Sequence, residues 1–404
     1  MLLSPNRNRS TTYDVEEISR RIEDRSEGMT ESGAVVSYRR SMQQATVWAC
    51  VRIISESIAS LPVELVRKGP GGTIQPVEGH PALDLLHRPN DWQTCHEFIQ
   101  QNVIWMELRG NGYAFKVRSG DGRVRRLMPI SEDFVEVEQM GDWALRYFIG
   151  SEHPQVSGEF GPDRVMHWRN FALDSYRGLS TIGYAREAVG LALQTETHGA
   201  RLFRQGAQGG MVLEHPGTLS DDAYNRLKES VSKTWEGASN AWRTKILEEG
   251  MKVNNLGMTN EDSQFLETRK FQKEEIASLF GVPMFLLNAS EKATTWGSGL
   301  EQITKSFIRF TLGPRLHRIS QIFAHELLAP NERRDLMFRF NTDAFTLGDF
   351  KERMDGYRSG IESGVMNPNE ARKKEGMNPR DNGDEYRRPV NIAIEGEQNE
   401  ETIP

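Results

Sequence analysis

The chain has 404 residues, 37% of them hydrophobic and 26% charged, with a formal net charge of −7. That length supports two or three domains with cores of their own, and no run approaches the roughly 18 apolar residues that a membrane helix needs. The acidic balance argues against a protein that grips DNA, because such proteins draw affinity from cationic side chains that release phosphate counterions.

Only two cysteines occur, Cys50 and Cys95, with no CxxC and no Cys/His cluster. The expectation is a cytoplasmic, reducing site of synthesis with neither a disulfide framework nor a zinc site. Met1 to Ser10 holds only Leu2 and Leu3 as large apolar residues, so no secretory signal is expected.

Residues 1–33 are polar, with Glu16-Glu17 and Arg20-Arg21, and are expected to form a mobile arm. Val47, Trp48, Val51, Ile54, Ile58 and Leu61 then recur at helical spacing until Pro62 stops the pattern, and Val63 to Val66 predicts a strand. Thr94 and Glu97 have capping-box spacing, which predicts a helix from there to about Leu108. Tyr113 to Arg118 alternates as a strand, and Ser119-Gly120-Asp121-Gly122 turns it into a second strand through Leu127. Further strands are predicted at Phe134–Val137, Leu145–Ile149 and Val165–Trp168, so residues 34 to about 175 form an α+β domain.

Ile182 to Gln205 is one long helical pattern, and its small residues Ala185, Ala188 and Ala192 suit the close approach of a neighbouring helix. A compact polar segment follows at 208–261, with Ser220 capping a helix that carries Leu227, Val231 and Trp235. A second long helix covers 263–280 and stops at Gly281-Val282-Pro283. After the polar stretch 288–299, a third helical run from Leu300 to Leu328 should kink at Gly313-Pro314. Leu336 to Phe340 predicts a strand and 347–359 a helix. Asn367-Pro368-Asn369-Glu370 places a cap, a first-turn proline and a third-position glutamate, with Gly376 as the stop. The tail after Tyr386 is polar, ends rich in glutamate, and is expected to be disordered.

Catalytic patterns are missing. There is no GxxxxGK[ST], GxGxxG or GxSxG, and Gly178-Leu179-Ser180-Thr181-Ile182-Gly183 has the wrong spacing for a nucleophile elbow. His325-Glu326 lacks the second histidine of a zinc-protease helix, and His167, beside Trp168 on a strand, suits a hydrogen-bonded structural role. An enzyme would have to use one of these two, and a sequence-specific DNA-binding protein would need a basic surface. The basic groups Arg123, Arg125 and Arg126, then Arg333 and Arg334, then Arg372, Lys373 and Lys374, sit among acids or in turns and suit solvated faces or salt bridges. No catalytic residue, metal site or cofactor is expected.

Several strings, in order, resemble the portal proteins of tailed double-stranded-DNA bacteriophages. The first is Trp48-Ala-Cys-Val-Arg-Ile-Ile-Ser-Glu-Ser-Ile-Ala-Ser-Leu-Pro62-Val63, followed by His80-Pro81, Arg88-Pro89-Asn90, Gly110-Asn111-Gly112-Tyr113 and Val165-Met166-His167-Trp168. The most specific is Ile276-Ala277-Ser278-Leu279-Phe280-Gly281-Val282-Pro283, with Phe310-Thr311-Leu312-Gly313-Pro314 and Gly364-Val365-Met366-Asn367-Pro368 downstream.

The resemblance implies an α+β portal fold with wing, stem, clip and crown, assembled as a closed ring of twelve. Its parts map onto an arm (1–33), an α+β wing (34–177), a first stem helix (178–207) and a small α/β clip (208–261). Then follow a second stem helix (262–285), a channel loop (286–299), a wing helix with a return strand (300–345), crown helices (346–380) and a tail (381–404). It places Lys292, Thr294, Thr295 and Trp296 on the channel loop, facing DNA, and offers Glu267, Arg269, Lys270 and Lys273 as channel-lining stem residues. Implied partners are other copies of the chain, double-stranded DNA passing without sequence specificity, the terminase large subunit, a head-tail adaptor, and the major capsid or scaffold protein. The implied location is the virion, at the capsid portal vertex. No membrane and no cofactor are implied.

Overall fold

A computed structural model describes residues 28–150, 153, 155–204, 211–214, 217, 220–235, 251–255, 260–287, 298–342, 345 and 350–386. The chain divides into two compact units, Met1–Phe340 and Asn341–Pro404.

The first unit opens with β1 (Gly28–Met29) and β2 (Val35–Val36), a short antiparallel pair, then α1 (Tyr38–Ser41). In α2 (Ala45–Ala59) the buried Val47, Val51, Ile54 and Ile58 carry the helical spacing seen in the sequence, and Gln44 caps the start by accepting from the Val47 N–H at 2.8 Å. The chain continues through β3 (Val63–Lys68), β4 (Ile74–Pro76) and α3 (Pro81–His87) to α4 (Cys95–Arg109), whose Thr94/Glu97 capping box is formed. Next come β5 (Asn111–Arg118), β6 (Val124–Ile130), β7 (Val135–Gln139), β8 (Leu145–Ile149), β9 (Gly158–Phe160) and β10 (Val165–Arg169).

Three antiparallel three-stranded sheets result, in the orders β10-β5-β6, β7-β8-β9 and β13-β3-β4, where β13 is Leu336–Phe340. The return strand therefore pairs along the strand that follows the first long helix, with Phe340 opposite Val63 and Leu336 opposite Arg67. Tyr113, Phe115, Ile130, Val135, Val137, Tyr147, Ile149 and Val165 form one cluster joining the first two sheets.

Two more helices precede the second half of the unit, α5 (Thr181–Tyr184) and α6 (Arg186–Arg204). Then come β11 (Met211–Glu214), α7 (Asp221–Trp235), β12 (Lys252–Asn255) and α8 (Asn260–Phe280). β11 and β12 pair antiparallel, so the 208–261 segment mixes strand and helix. α9 (Ser298–Ser306), a π-helical turn (Phe307–Leu312) and α10 (Gly313–Leu327) complete the unit. α10 lies against both β13 and β10. Its Phe323, fully buried, meets Trp168 edge-on at 5.2 Å and Phe338 at 5.7 Å, while Trp168 also meets Phe98 of α4 at 5.9 Å.

The second unit pairs α11 (Phe350–Glu362) with α12 (Pro368–Lys374). The predicted Asn367/Glu370 capping box is present, and Glu375 joins the two helices by accepting from Arg353 Nε and the Tyr357 hydroxyl, each at 3.0 Å.

Three expectations need correcting. The arm does not extend to residue 33, because residues 28–36 form the β1–β2 pair. The Thr30 hydroxyl binds the Ala34 backbone, and a β-carbon at Gly190 would fall 2.5 Å from Thr30, so the hairpin needs that glycine to lie on α6. The single helix expected from Ile182 to Gln205 is broken at Ala185, which leaves helical geometry (φ −89°, ψ 17°) where α5 ends. The interruption expected at Gly313-Pro314 is a π turn just before it: Gly313 donates to Ile308, one residue further back than an α-helix allows, where Pro314 has no N–H to give. The tail expected after Tyr386 lies outside the described residues.

Replacing Phe323 by alanine should cost about 3–5 kcal/mol, the usual penalty for removing a buried ring. Urea unfolding of the full chain measures it, and a loss below about 1 kcal/mol would mean that α10 and the sheets do not share a core.

Candidate functional site

The last turn of α4 is where separate parts of the first unit meet. Glu107 is fully buried and accepts both nitrogens of the Arg315 fork, Nε at 2.6 Å and Nη2 at 2.9 Å. The same guanidinium donates to Thr311 O at 2.8 Å and Phe280 O at 3.3 Å, and the Thr311 hydroxyl donates to Gly281 O at 2.6 Å. The end of α8 is thus tied to α4 and to the π turn by one arginine. Burial opposes the charge on Arg315, and the hydrogen bonds and charge of Glu107 outweigh it, so its pKa is raised.

The next residue holds the other long helix. Leu108 O accepts from the Ser180 hydroxyl at 2.6 Å, and Ser180 in turn caps α5 by accepting from the Gly183 N–H at 2.9 Å. Asn111 reads both sides of Gly178, accepting from its N–H at 2.8 Å and donating to its carbonyl at 3.2 Å. A β-carbon on Gly178 would sit 2.0 Å from Gly110 O, so only glycine lets the two corners touch. Arg109 completes the turn, binding Asp133 and Glu132 and covering the Tyr38 ring at 4.5 Å. Burial alone would raise Asp133; the Arg109 charge and the bonds from Arg109, Ser131 and Tyr38 hold it below the usual range.

Between the two long helices, Gln272 of α8 donates to the Thr195 hydroxyl of α6 at 3.0 Å in a buried contact. Ala185 and Ala192 are buried within the chain itself, while Ala188 is half-buried. On α8, Gln272, Ile276, Ala277 and Phe280 face inward.

Of the four channel-lining candidates, Glu267 and Lys270 lie with the outward stripe and Lys273 is exposed beside it, whereas Arg269 is half-buried. Sequence reasoning missed Phe271, which is 64% exposed on that stripe with Glu274 and Ser278. Its signal was phase: Phe271 is out of step with Ile276 and Phe280. Lys292, Thr294, Thr295 and Trp296 lie outside the described residues.

The two histidines singled out in the sequence lie in different surroundings. His167 is buried, with Nε2 at 3.0 Å from Asn111 Oδ1, Nδ1 at 3.3 Å from the Tyr147 hydroxyl, and its ring stacked on Tyr113 at 4.5 Å. Glu326 binds the buried Lys116 at 2.5 Å and leaves His325 as an exposed neighbour at 3.0 Å. Arg123 and Arg125 pair with Asp121, and Arg126 with Asp91, all near the surface. Among the described residues no group of three or more His, Cys, Asp or Glu could hold a metal ion, and no helix is long and apolar enough to cross a membrane.

Fold and side-chain chemistry describe an α+β protein whose buried polar groups hold helices in place. The chain belongs to the phage portal protein family, whose model matches residues 45–376. It is 34% identical over 379 residues to the probable portal protein of Streptomyces phage phiC31, covering 91% of this chain and 82% of that one. To the portal protein of Enterobacteria phage HK97 it is 30% identical over 352 residues, covering 86% and 82%. Among solved structures, the neck of an empty gene transfer agent particle, computed with C6 symmetry, superimposes with a TM-score of 0.60 at 26% identity, covering 85% of this chain and 93% of that one. The native-particle neck computed with C12 symmetry gives 0.58 at 25%, covering 85% and 92%. A portal protein from Corynebacterium diphtheriae shares the fold at a TM-score of 0.53 and 14% identity, covering 76% and 96%. The family is structural rather than catalytic, and its general role is the channel through which a tailed phage packages its genome.

Two outcomes test the site. Glu107→Gln leaves the Arg315 charge buried without its partner, which should cost about 3–5 kcal/mol and speed amide exchange at Gly281 and Val282. His167 is held well below its ordinary 6.5 by burial and then by Arg169. Below that value the unfolded chain takes up a proton that the folded chain refuses, so stability falls as pH drops through it, by on the order of 1 kcal/mol per pH unit. His167→Gln should remove that part of the slope, read as urea midpoints between pH 7.5 and 5.5.

Proposed function

We propose that the chain is the subunit of a closed ring, twelve copies in the capsid, through which the genome is packed and later released. The observation that carries this reading is the family match across residues 45–376, and the C12 neck to which the fold is similar supports the ring number. In this reading residues 34–177 with 300–345 are the wing, α5, α6 and α8 the stem, 208–261 the clip and 346–380 the crown. The 286–299 segment, with Lys292, Thr294, Thr295 and Trp296, is the constricting loop against DNA. The clip docks the terminase large subunit during packaging and head-tail adaptors afterwards, and capsid or scaffold protein holds the ring in the virion. The chain itself turns over no substrate.

Elementary electrostatics favours such a conduit. A wall of strong cationic contacts would trap the duplex at each phosphate, whereas a chain at −7 leaves it free to slide. Head-to-tail subunits close into a ring only when the rotation between neighbours closes on itself.

Native mass spectrometry of the full chain, with negative-stain imaging, should find a closed ring near twelve subunits with a central hole. A species that stays monomeric or dimeric across protein and salt concentrations, with and without capsid and scaffold proteins, would overturn the reading.

A further inference from the structure

Arg109 binds Glu132 and Asp133, and Arg315 binds Glu107. One cleft gathers three arginines that have no such carboxylate partner among the described residues. It lies between the segment after β10 and the outer face of α10, has a volume of about 580 Å³, and is lined by Arg169, Arg318 and Arg333 beside Ala172 and Ile322. Each arginine binds only neutral oxygens among the described residues. Arg169 donates to Ser175 O and Arg318 to Asn170 Oδ1, each at 3.0 Å, and Arg333 donates to the carbonyls of Leu328 and His325 at the end of α10. The cleft's one carboxylate, Glu326, is already bound to Lys116. Arg318 is penalised by burial and then by the nearby Arg315 charge, which outweigh the pull of Glu107 and lower its pKa. Neither Arg169 nor Arg318 has an ion pair among the described residues, and anion recognition is what such planar forks do best.

On α8, Glu267, Glu274 and Glu275 have no ion pair among the described residues and flank the exposed Phe271 and Leu279, with the exposed Lys270 and Lys273 between them. A recess floored by the half-buried Arg169 and Arg318 and by apolar side chains, with Arg333 exposed at its edge, admits a glutamate better than it admits the backbone of a duplex. A head-to-tail ring also needs two different patches that fit one another.

We propose that the Arg169–Arg318–Arg333 cleft is the acceptor half of the interface between subunits, and that it takes the carboxylates of α8 from a second copy of this chain. This rests on the ring reading above. The pairing sets the order of subunits around the ring and makes closure sensitive to ionic strength.

Phenylglyoxal labelling of the wild-type chain tests it without a mutation. Arg169 and Arg318, normalised to the exposed Arg123, should label in salt-dissociated subunits and lose that labelling in DNA-free rings. Separately, Arg169→Gln with Arg318→Gln, and Glu274→Gln with Glu275→Gln, should each lower the salt concentration at which rings dissociate. The fourfold variant should be no weaker than either pair, because both remove the same contacts. Circular-dichroism melts confirm that the variants fold. Rings whose two arginines label fully, additive losses in the fourfold variant, or protection that appears only when DNA is added would each overturn the proposal. A wild-type chain that never closes a ring would overturn the ring reading first and this inference with it.

Discussion

The buried pair of Glu107 and Arg315 is the constraint on which the first unit depends. Its two hydrogen bonds fix the guanidinium plane, and the same plane then reaches Phe280 O and Thr311 O. One ion pair therefore ties the end of α8 to α4 and to the π turn that precedes α10. A buried ion pair is a poor source of net stability, because desolvation consumes most of the Coulomb gain. Its value here is geometric. An apolar substitute would fill the space but could not hold two chain ends by their carbonyls.

The neighbouring residues extend that logic. Leu108 O holds the cap of α5, and Arg109 holds the Glu132–Asp133 turn and the Tyr38 ring, so three consecutive residues seat elements far apart in sequence. Such a seat suits a load-bearing ring subunit of the kind proposed above. Force applied along α6 or α8 would reach the sheets through short, charge-assisted or capped contacts rather than through a loop. The aromatic layer of Phe98, Trp168 and Phe323 lies beneath as the apolar complement, binding α4, β10 and α10 together.

Much of the scaffold was legible because it obeys local rules. The capping boxes at Thr94/Glu97 and Asn367/Glu370, the alternation of β5 and the spacing of α2 each announce themselves within a few residues. What escaped was tertiary. The break at Ala185 has no short-range signature, and at Gly313-Pro314 the dipeptide announces an interruption but not that it takes the form of a π turn one step earlier. Gly190 looked like an ordinary helix residue until Thr30 lay against it. On α8 the resemblance offered four charged residues, some of them to face the channel, yet Arg269 is half-buried and Phe271 is exposed. Charge marks solvent contact, but phase relative to the buried Ile276 and Phe280 decides direction.

Charge is handled differently at different depths. In the interior, Glu107, Lys116 and Arg109 meet opposite charges at close range, whereas Glu267, Glu274 and Glu275 on α8 and Arg169 and Arg318 in the cleft beside α10 have no ion pair among the described residues. An isolated subunit with such faces pays little for them while water solvates each charge. A neighbour that excludes that water raises the attraction between opposite faces and the cost of any misaligned approach. Separated patches of opposite sign would therefore favour one order of assembly over its alternatives. The apolar side chains beside them, Phe271 and Leu279 on one face and Ile322 on the other, would supply attraction that salt does not screen.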